Sequence, residues 1–254
     1  MKKLGGVQFV RNAIIQDYCL KESLSSLLAV CDKVYIVDAG STDGTQDLIA
    51  SISNEHLTMI TTEDDAWESV DGPIKLAYFA NIAMDYAQRR GMDYLLYVQS
   101  DEVVHEDSFN NIRDAVEHGA EAYVFNRYNL FKDPYHMLNV AQERKPCSTE
   151  VIRLAKARYR AYSDGEHLMV DHVSQFKSLN SIELFHAGFV RDPKKHLVKI
   201  KHMLTEVFKM GMDVRAENCE EFQWDRFFRE EDLISIPKKL PIFLQQWAKD
   251  RYPD

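Results

Sequence analysis

The chain predicts an α/β fold, with a mostly parallel central sheet flanked by helices and a C-terminal helical extension. Three observations carry that prediction. Short apolar runs alternate with segments of helical period through the first half, acidic turns follow two of those runs, and the sequence becomes basic and helical after Pro193. At 254 residues, with no internal repeat and no low-complexity linker, the chain fits one large domain carrying a tail.

Val7–Val10 reads as a first strand, and Tyr18–Val30 places Leu20, Leu24, Leu27 and Leu28 at helical spacing. Val34–Val37 is a continuous apolar run of the kind buried on both faces, and it stops abruptly at Asp38. A helix over Thr45–Ser53, a strand over Leu57–Thr61, a helix over Leu76–Arg90 ended by Gly91 and a strand over Tyr94–Val98 follow. That order argues for right-handed crossovers and for ligands bound beyond the carboxyl ends of the strands. Farther on, Ala122–Phe125, Val151–Leu154 and Ile182–Phe185 read as separate strands joined by polar loops. The expected main domain is 1–192, and the expected helical extension, packed on it, is 193–254.

A hydrophobic fraction of 45% with 28% charged residues excludes disorder for most of the chain. Forty acidic against 31 basic residues leave a formal charge of -9, so no general field attracts nucleic acid. Cys19, Cys31, Cys147 and Cys219 form no paired motif and read as reduced thiols. No run approaches the roughly 18 apolar residues of a membrane span, and the start has no signal-peptide core. The expectation is a cytoplasmic protein whose membrane contact, through the tail around Phe243 and Trp247, is at most peripheral. Packing of Trp224, Phe227, Phe228 and of Leu240, Phe243, Leu244 and Trp247 over the main domain is the favoured role for those side chains.

The turn Asp38-Ala39-Gly40-Ser41-Thr42-Asp43-Gly44-Thr45 has glycines for tight backbone and three side chains able to cap the next helix. It matches neither a Walker loop nor a dinucleotide fingerprint. A second acidic turn, Gln99-Ser100-Asp101-Glu102, sets carboxylates at a rigid strand end, a position that suits a hard divalent cation sharing oxygens with a phosphate. The first turn alone is equally well read as structural, and the second alone is better read so.

Together and in this order, the two turns resemble the nucleotide-sugar half of family 2 glycosyltransferases, which have the GT-A fold. The similarity runs from Val10-Arg11-Asn12 to about Glu106 and returns at His186-Ala187-Gly188-Phe189-Val190-Arg191-Asp192-Pro193. The resemblance implies a nucleotide-binding half over 1–106, an acceptor half over 107–192 and transfer of a sugar from a nucleoside-diphosphate donor with inversion. Carried over, Arg11, Asn12, Asp38, Gly40, Ser41, Asp43, Asn81, Gln99, Ser100, Asp101 and Arg191 belong to the donor site, with Asp38 on the base or ribose. Asp101 and His186 are the implied ligands of manganese or magnesium, and Arg191 faces the diphosphate. Two departures stand out: Gln99 replaces the first acid of the usual Asp-x-Asp, and Ala80-Asn81 stands where Arg-Asn is common.

The acceptor hydroxyl needs a base, and Tyr162-Ser163-Asp164-Gly165-Glu166-His167 offers Glu166, slightly favoured for its neighbour His167, or Asp164. The row Lys194, Lys195, Lys199 and Lys201 reads first as a solvated helix face and second as a phosphate contact. Trp67 reads as a core anchor or as part of a loop facing the acceptor. The expected acceptor is a glycan or a lipid-linked saccharide. A sugar nucleotidyltransferase and a non-catalytic nucleotide- or glycan-binding module are the competing readings.

Overall fold

A computed structural model describes residues 1–52, 54–63, 65–139, 148–169, 176–209, 219–224 and 228–253, with the side chains of 176–181 excepted. Cys147 and Phe227 lie outside the described residues. The first half alternates as expected: β1 (Leu4–Val10), α1 (Leu20–Val30), β2 (Lys33–Asp38), α2 (Thr45–Ile52), β3 (Leu57–Thr61), α3 (Ile74–Arg89) and β4 (Tyr94–Tyr97). Then come β5 (Glu102–Val104), α4 (Phe109–His118), β6 (Ala122–Phe131), β7 (His136–Leu138), β8 (Glu150–Lys156), the small hairpin β9 (Arg160–Tyr162) and β10 (His167–Met169), and β11 (Phe176–Phe189). The last elements are α5 (Pro193–His202), β12 (Leu233–Ser235) and α6 (Ile242–Arg251).

Among the described residues ten strands form one sheet, in the order β12-β7-β6-β8-β4-β1-β2-β3, with β11 pairing β6 and β5. β3, β2, β1 and β4 run parallel to one another, whereas β8 joins β4 and β6 antiparallel. The apolar runs are explained by burial on both faces. Val34, Ile36, Tyr94, Leu96 and Val98 face the cluster that holds α1, α2 and α4, while Tyr35, Val37, Leu95 and Tyr97 face the one that holds α3.

α5 begins where a cap and a proline dictate. The Asp192 carboxylate accepts from the Lys194 and Lys195 amides at 2.9 and 3.2 Å, and Pro193 occupies the first turn. α6 buries Leu244, Trp247 and Ala248 against Val103, Leu130 and Phe185, so these apolar side chains face the core. Among the described residues no helix is long and apolar enough to cross a membrane.

Two buried groups make stability fall with acid. His196 is 1% exposed, and burial, then Arg191 and Lys199, push its pKa down to about 2. Burial opposes ionisation of Glu102, but Arg153 and Arg127 outweigh it and bring its pKa to about 2. In both cases the unfolded chain takes up the proton first, so stability declines as pH falls, from about 6.5 for the histidine and about 4.5 for the glutamate. We expect denaturant midpoints to drop below pH 6.5 and more steeply below pH 4.5. His196→Phe, which keeps a ring between Phe222 and Trp224, should flatten the upper part of that curve; an unchanged curve would refute the assignment.

Candidate active site

A cleft of about 730 Å³, including its solvent-open part, lies at the carboxyl ends of β1 and β4. Gln99, Ser100 and Asp101 line it beside Phe9, Arg11, Gln16, Tyr18 and Trp67, together with His186, Lys199, His202, Met203 and Val207; Trp67 stacks on His202 and Lys199 lies over the Tyr18 ring. Backbone and polar bonds fix the turn that holds Gln99, Ser100 and Asp101. The Gln8 amide donates to the Val98 and Gln99 carbonyls, the Ser100 hydroxyl donates to the Phe9 carbonyl at 2.6 Å, and the Ala187 amide donates to the Asp101 carbonyl at 2.8 Å.

Asp101 is buried among positive groups. Its Oδ2 is 3.1 Å from Lys199 Nζ, 3.6 Å from His186 Nε2 and 3.9 Å from Arg191 Nη2. Burial opposes ionisation, but Lys199, His186 and Arg191 together hold the carboxyl well below its usual range, so Asp101 is an anion throughout the neutral range. The Asn129 amide donates to the Ser148 carbonyl, which leaves its Oδ1 to accept from His186 Nδ1 at 3.0 Å and turns Nε2 toward Asp101. Gly188 is required here: a Cβ on it would lie 2.2 Å from His186 Nε2 and 3.0 Å from Asp101 Oδ2. Arg191 is fully buried, and none of its side-chain nitrogens has a hydrogen-bond partner among the described residues.

The turns implied in nucleotide binding are interlocked. The Asn12 amide donates to Ser41 Oγ, the Thr42 amide to Asn12 Oδ1 and the Ile15 amide to Asp43 Oδ2, each at 2.8 Å. Gly40, at φ +75°, takes the left-handed conformation that the tight turn demands. Asp38 is fully buried; its Oδ2 accepts from the Ser41 amide and the Gln46 side chain, while its Oδ1 has no partner among the described residues. Arg11 reaches the Ala39 carbonyl at 2.5 Å and stacks 5.0 Å from the Trp67 ring. Trp67 is both anchor and wall, 6% exposed, stacked on Phe79 and lining the cleft.

The sequence-derived residues thus fall into three groups. Arg11, Gln99, Ser100, Asp101 and His186 line the cleft, with Arg191 behind Asp101. Asn12, Asp38, Gly40, Ser41 and Asp43 shape its neighbouring turns without lining it, and Asn81 clasps β9 through both amide atoms at Ala161. Glu166 and Asp164 also stand outside the lining. Arg127 Nη2 donates to Glu166 Oε1 at 2.5 Å; burial opposes ionisation, yet Arg127 outweighs it and keeps Glu166 below the ordinary carboxylate value. Sequence reasoning missed Tyr18, whose ring lies 5.5 Å from the Arg191 guanidinium and 5.2 Å from Lys199 Nζ. It also missed Gln16, His202 and Met203, which carry no motif.

The donor set does not fit a divalent cation. Among the described residues no three His, Cys, Asp or Glu side chains converge. The carboxylate that would bind the ion already faces two fixed cations, Lys199 and Arg191. Two unit charges about 4 Å apart interact by roughly 4 kcal/mol at an effective dielectric near 20, and a divalent ion doubles the repulsion from each. No step is therefore derived through manganese or magnesium at Asp101 and His186.

Residues 17–178 match the family described as Glycosyl transferase family 2. The chain belongs to glycosyl transferase family 2. Its mixed α/β architecture is that of the GT-A fold, and the protein is a glycosyltransferase. Among solved structures it is similar to residues 1–349 of S. aureus TarS in complex with UDP, at 14% identity and a TM-score of 0.49, covering 83% of this chain and 67% of that one. Against a longer S. aureus TarS structure the identity is 16% and the TM-score 0.48, with 80% of this chain and 40% of that one covered. Nothing among curated proteins matches it.

Proposed function

We propose that this family 2 enzyme takes a nucleoside-diphosphate sugar as donor and transfers the sugar, with inversion, to an acceptor hydroxyl in one direct displacement. The observation that carries the reading is the ionised Asp101 surrounded by Lys199, His186 and Arg191 in a strand-end cleft: the local excess of positive charge suits a diphosphate. Asp38 Oδ1, buried and without a partner among the described residues, supports a contact to an N–H of the base or a ribose hydroxyl. The ring of Trp67 beside Arg11 gives the cleft an apolar wall.

In this scheme the acceptor oxygen attacks the anomeric carbon as the carbon–phosphate oxygen bond breaks, the electron pair leaving with the diphosphate. The hydroxyl proton passes to Glu166 or Asp164. We place the acceptor among glycans and lipid-linked saccharides of glycan or surface-polysaccharide synthesis, met in the cytoplasm or at its membrane face.

A panel of uridine, guanosine and thymidine diphosphate sugars, read by thermal shift and by slow donor hydrolysis, tests the donor. A rise in melting temperature with one base and none with the free sugars is expected, and no response to any of them refutes the reading. With a turned-over donor, whichever of Glu166→Gln and Asp164→Asn removes the base should lower kcat by about 10²- to 10⁴-fold at nearly constant donor KM. Full activity in both variants removes the pair from the mechanism.

A further inference from the structure

We infer that Lys199, held in place by Asp101, stabilises the departing diphosphate in the role that a divalent ion fills elsewhere, so that this protein binds and cleaves its donor without metal. The inference rests on the nucleoside-diphosphate donor proposed above.

Lys199 belongs to α5, whose start is fixed by the Asp192 cap and Pro193, so its place over the cleft is set by a rigid element. From there its Nζ reaches Asp101 Oδ2 at 3.1 Å and the Gly188 carbonyl at 3.3 Å, while the side chain lines the same cleft as Gln99 and His186. Both contacts are acceptors that orient the ammonium. Behind them the buried Arg191 adds a second positive charge with no hydrogen-bond partner among the described residues. The carboxylate that would otherwise recruit an ion is thus occupied by a lysine, and Gln99 supplies no second charge. Gly188 lets the backbone pass close beside His186 Nε2 and Asp101 Oδ2, where a side chain would collide with both.

The step balances without a cofactor. As the bond from the anomeric carbon to the phosphate oxygen breaks, both electrons stay on that oxygen, and Lys199 donates a hydrogen bond to the diphosphate without giving up its proton. Asp101 touches neither reacting atom here; it is a positioning residue that aims the ammonium.

Titration calorimetry of the full chain with uridine, guanosine and thymidine diphosphates, in chelator and again in manganese, decides the matter. The nucleotide that binds should do so with affinities within about twofold in the two buffers. Lys199→Met should weaken the diphosphate by about tenfold or more while leaving the matching nucleoside unaffected, a difference that loss of structure would not produce. Lys199→Arg, which keeps the charge, should stay nearer the parent than Lys199→Met. Affinity more than about tenfold higher in manganese overturns the lysine assignment and leaves the donor reading standing. Equal diphosphate affinity in Lys199→Met and the parent also overturns it. Absence of binding by every diphosphate in both buffers sinks the donor reading and this inference with it.

Discussion

Replacing Glu102 with glutamine should lower the unfolding free energy by about 3–5 kcal/mol, the largest stability loss we expect from one substitution. Glu102 is fully buried, and its carboxylate accepts from Arg153 at 2.7 and 2.9 Å and from Arg127 at 3.0 Å. The same carboxylate receives the Gln99 amide at 2.9 Å, so it also anchors the turn that presents Asp101. A neutral amide leaves two buried guanidinium groups under-compensated. Denaturant titration at neutral pH measures the effect. The half-exposed pair Arg113–Asp32 is the control: Arg113→Gln should cost about 1 kcal/mol or less. A Glu102→Gln loss no larger than that would show that the network does not hold the core.

Within the charged cluster, turnover should respond most to Asp101→Asn, with a loss of about 10²- to 10³-fold once a donor is in hand. The variant keeps shape but removes the anion that aims Lys199 and balances Arg191. His186→Ala should lose less. Its ring is oriented by Asn129 and meets Asp101 at 3.6 Å, farther than the 3.1 Å of Lys199. Steady-state kinetics with circular dichroism as a folding control separates the two, and full activity in both variants would remove this cluster from the reaction.

The first half of the fold is legible in the sequence because β2 and β4 are buried on both faces and read as apolar runs, while the more exposed β3 is marked by its β-branched residues between two helical segments. Leu57–Thr61 matches β3, and Val34–Val37 lies within β2. The second half is harder to read. β6 and β11 extend well beyond Ala122–Phe125 and Ile182–Phe185, because buried positions just past those runs are taken by polar groups such as Arg127 and His186, which break the apolar pattern. Arg153 hides inside the Val151–Leu154 run for the same reason: a charge satisfied by a partner far along the chain has no local signature. Asp101 stands out in the sequence because it lies in an acidic turn just after a strand. The position of Lys199 depends on how α5 folds back over the sheet, and a row of lysines does not reveal which one turns inward.

The clasped turns at Asn12, Ser41 and Asp43 bear on binding in another way. Side chains hydrogen-bonded to neighbouring turns have lost their rotational freedom during folding, so a nucleotide arriving beside them orders little that was loose. Affinity on this side then comes from a preformed mould, and its entropic cost falls mainly on the ligand. Cutting one clasp, for instance at Asn12, moves part of that cost from folding to association, and it would show as a less favourable binding entropy with almost the same enthalpy.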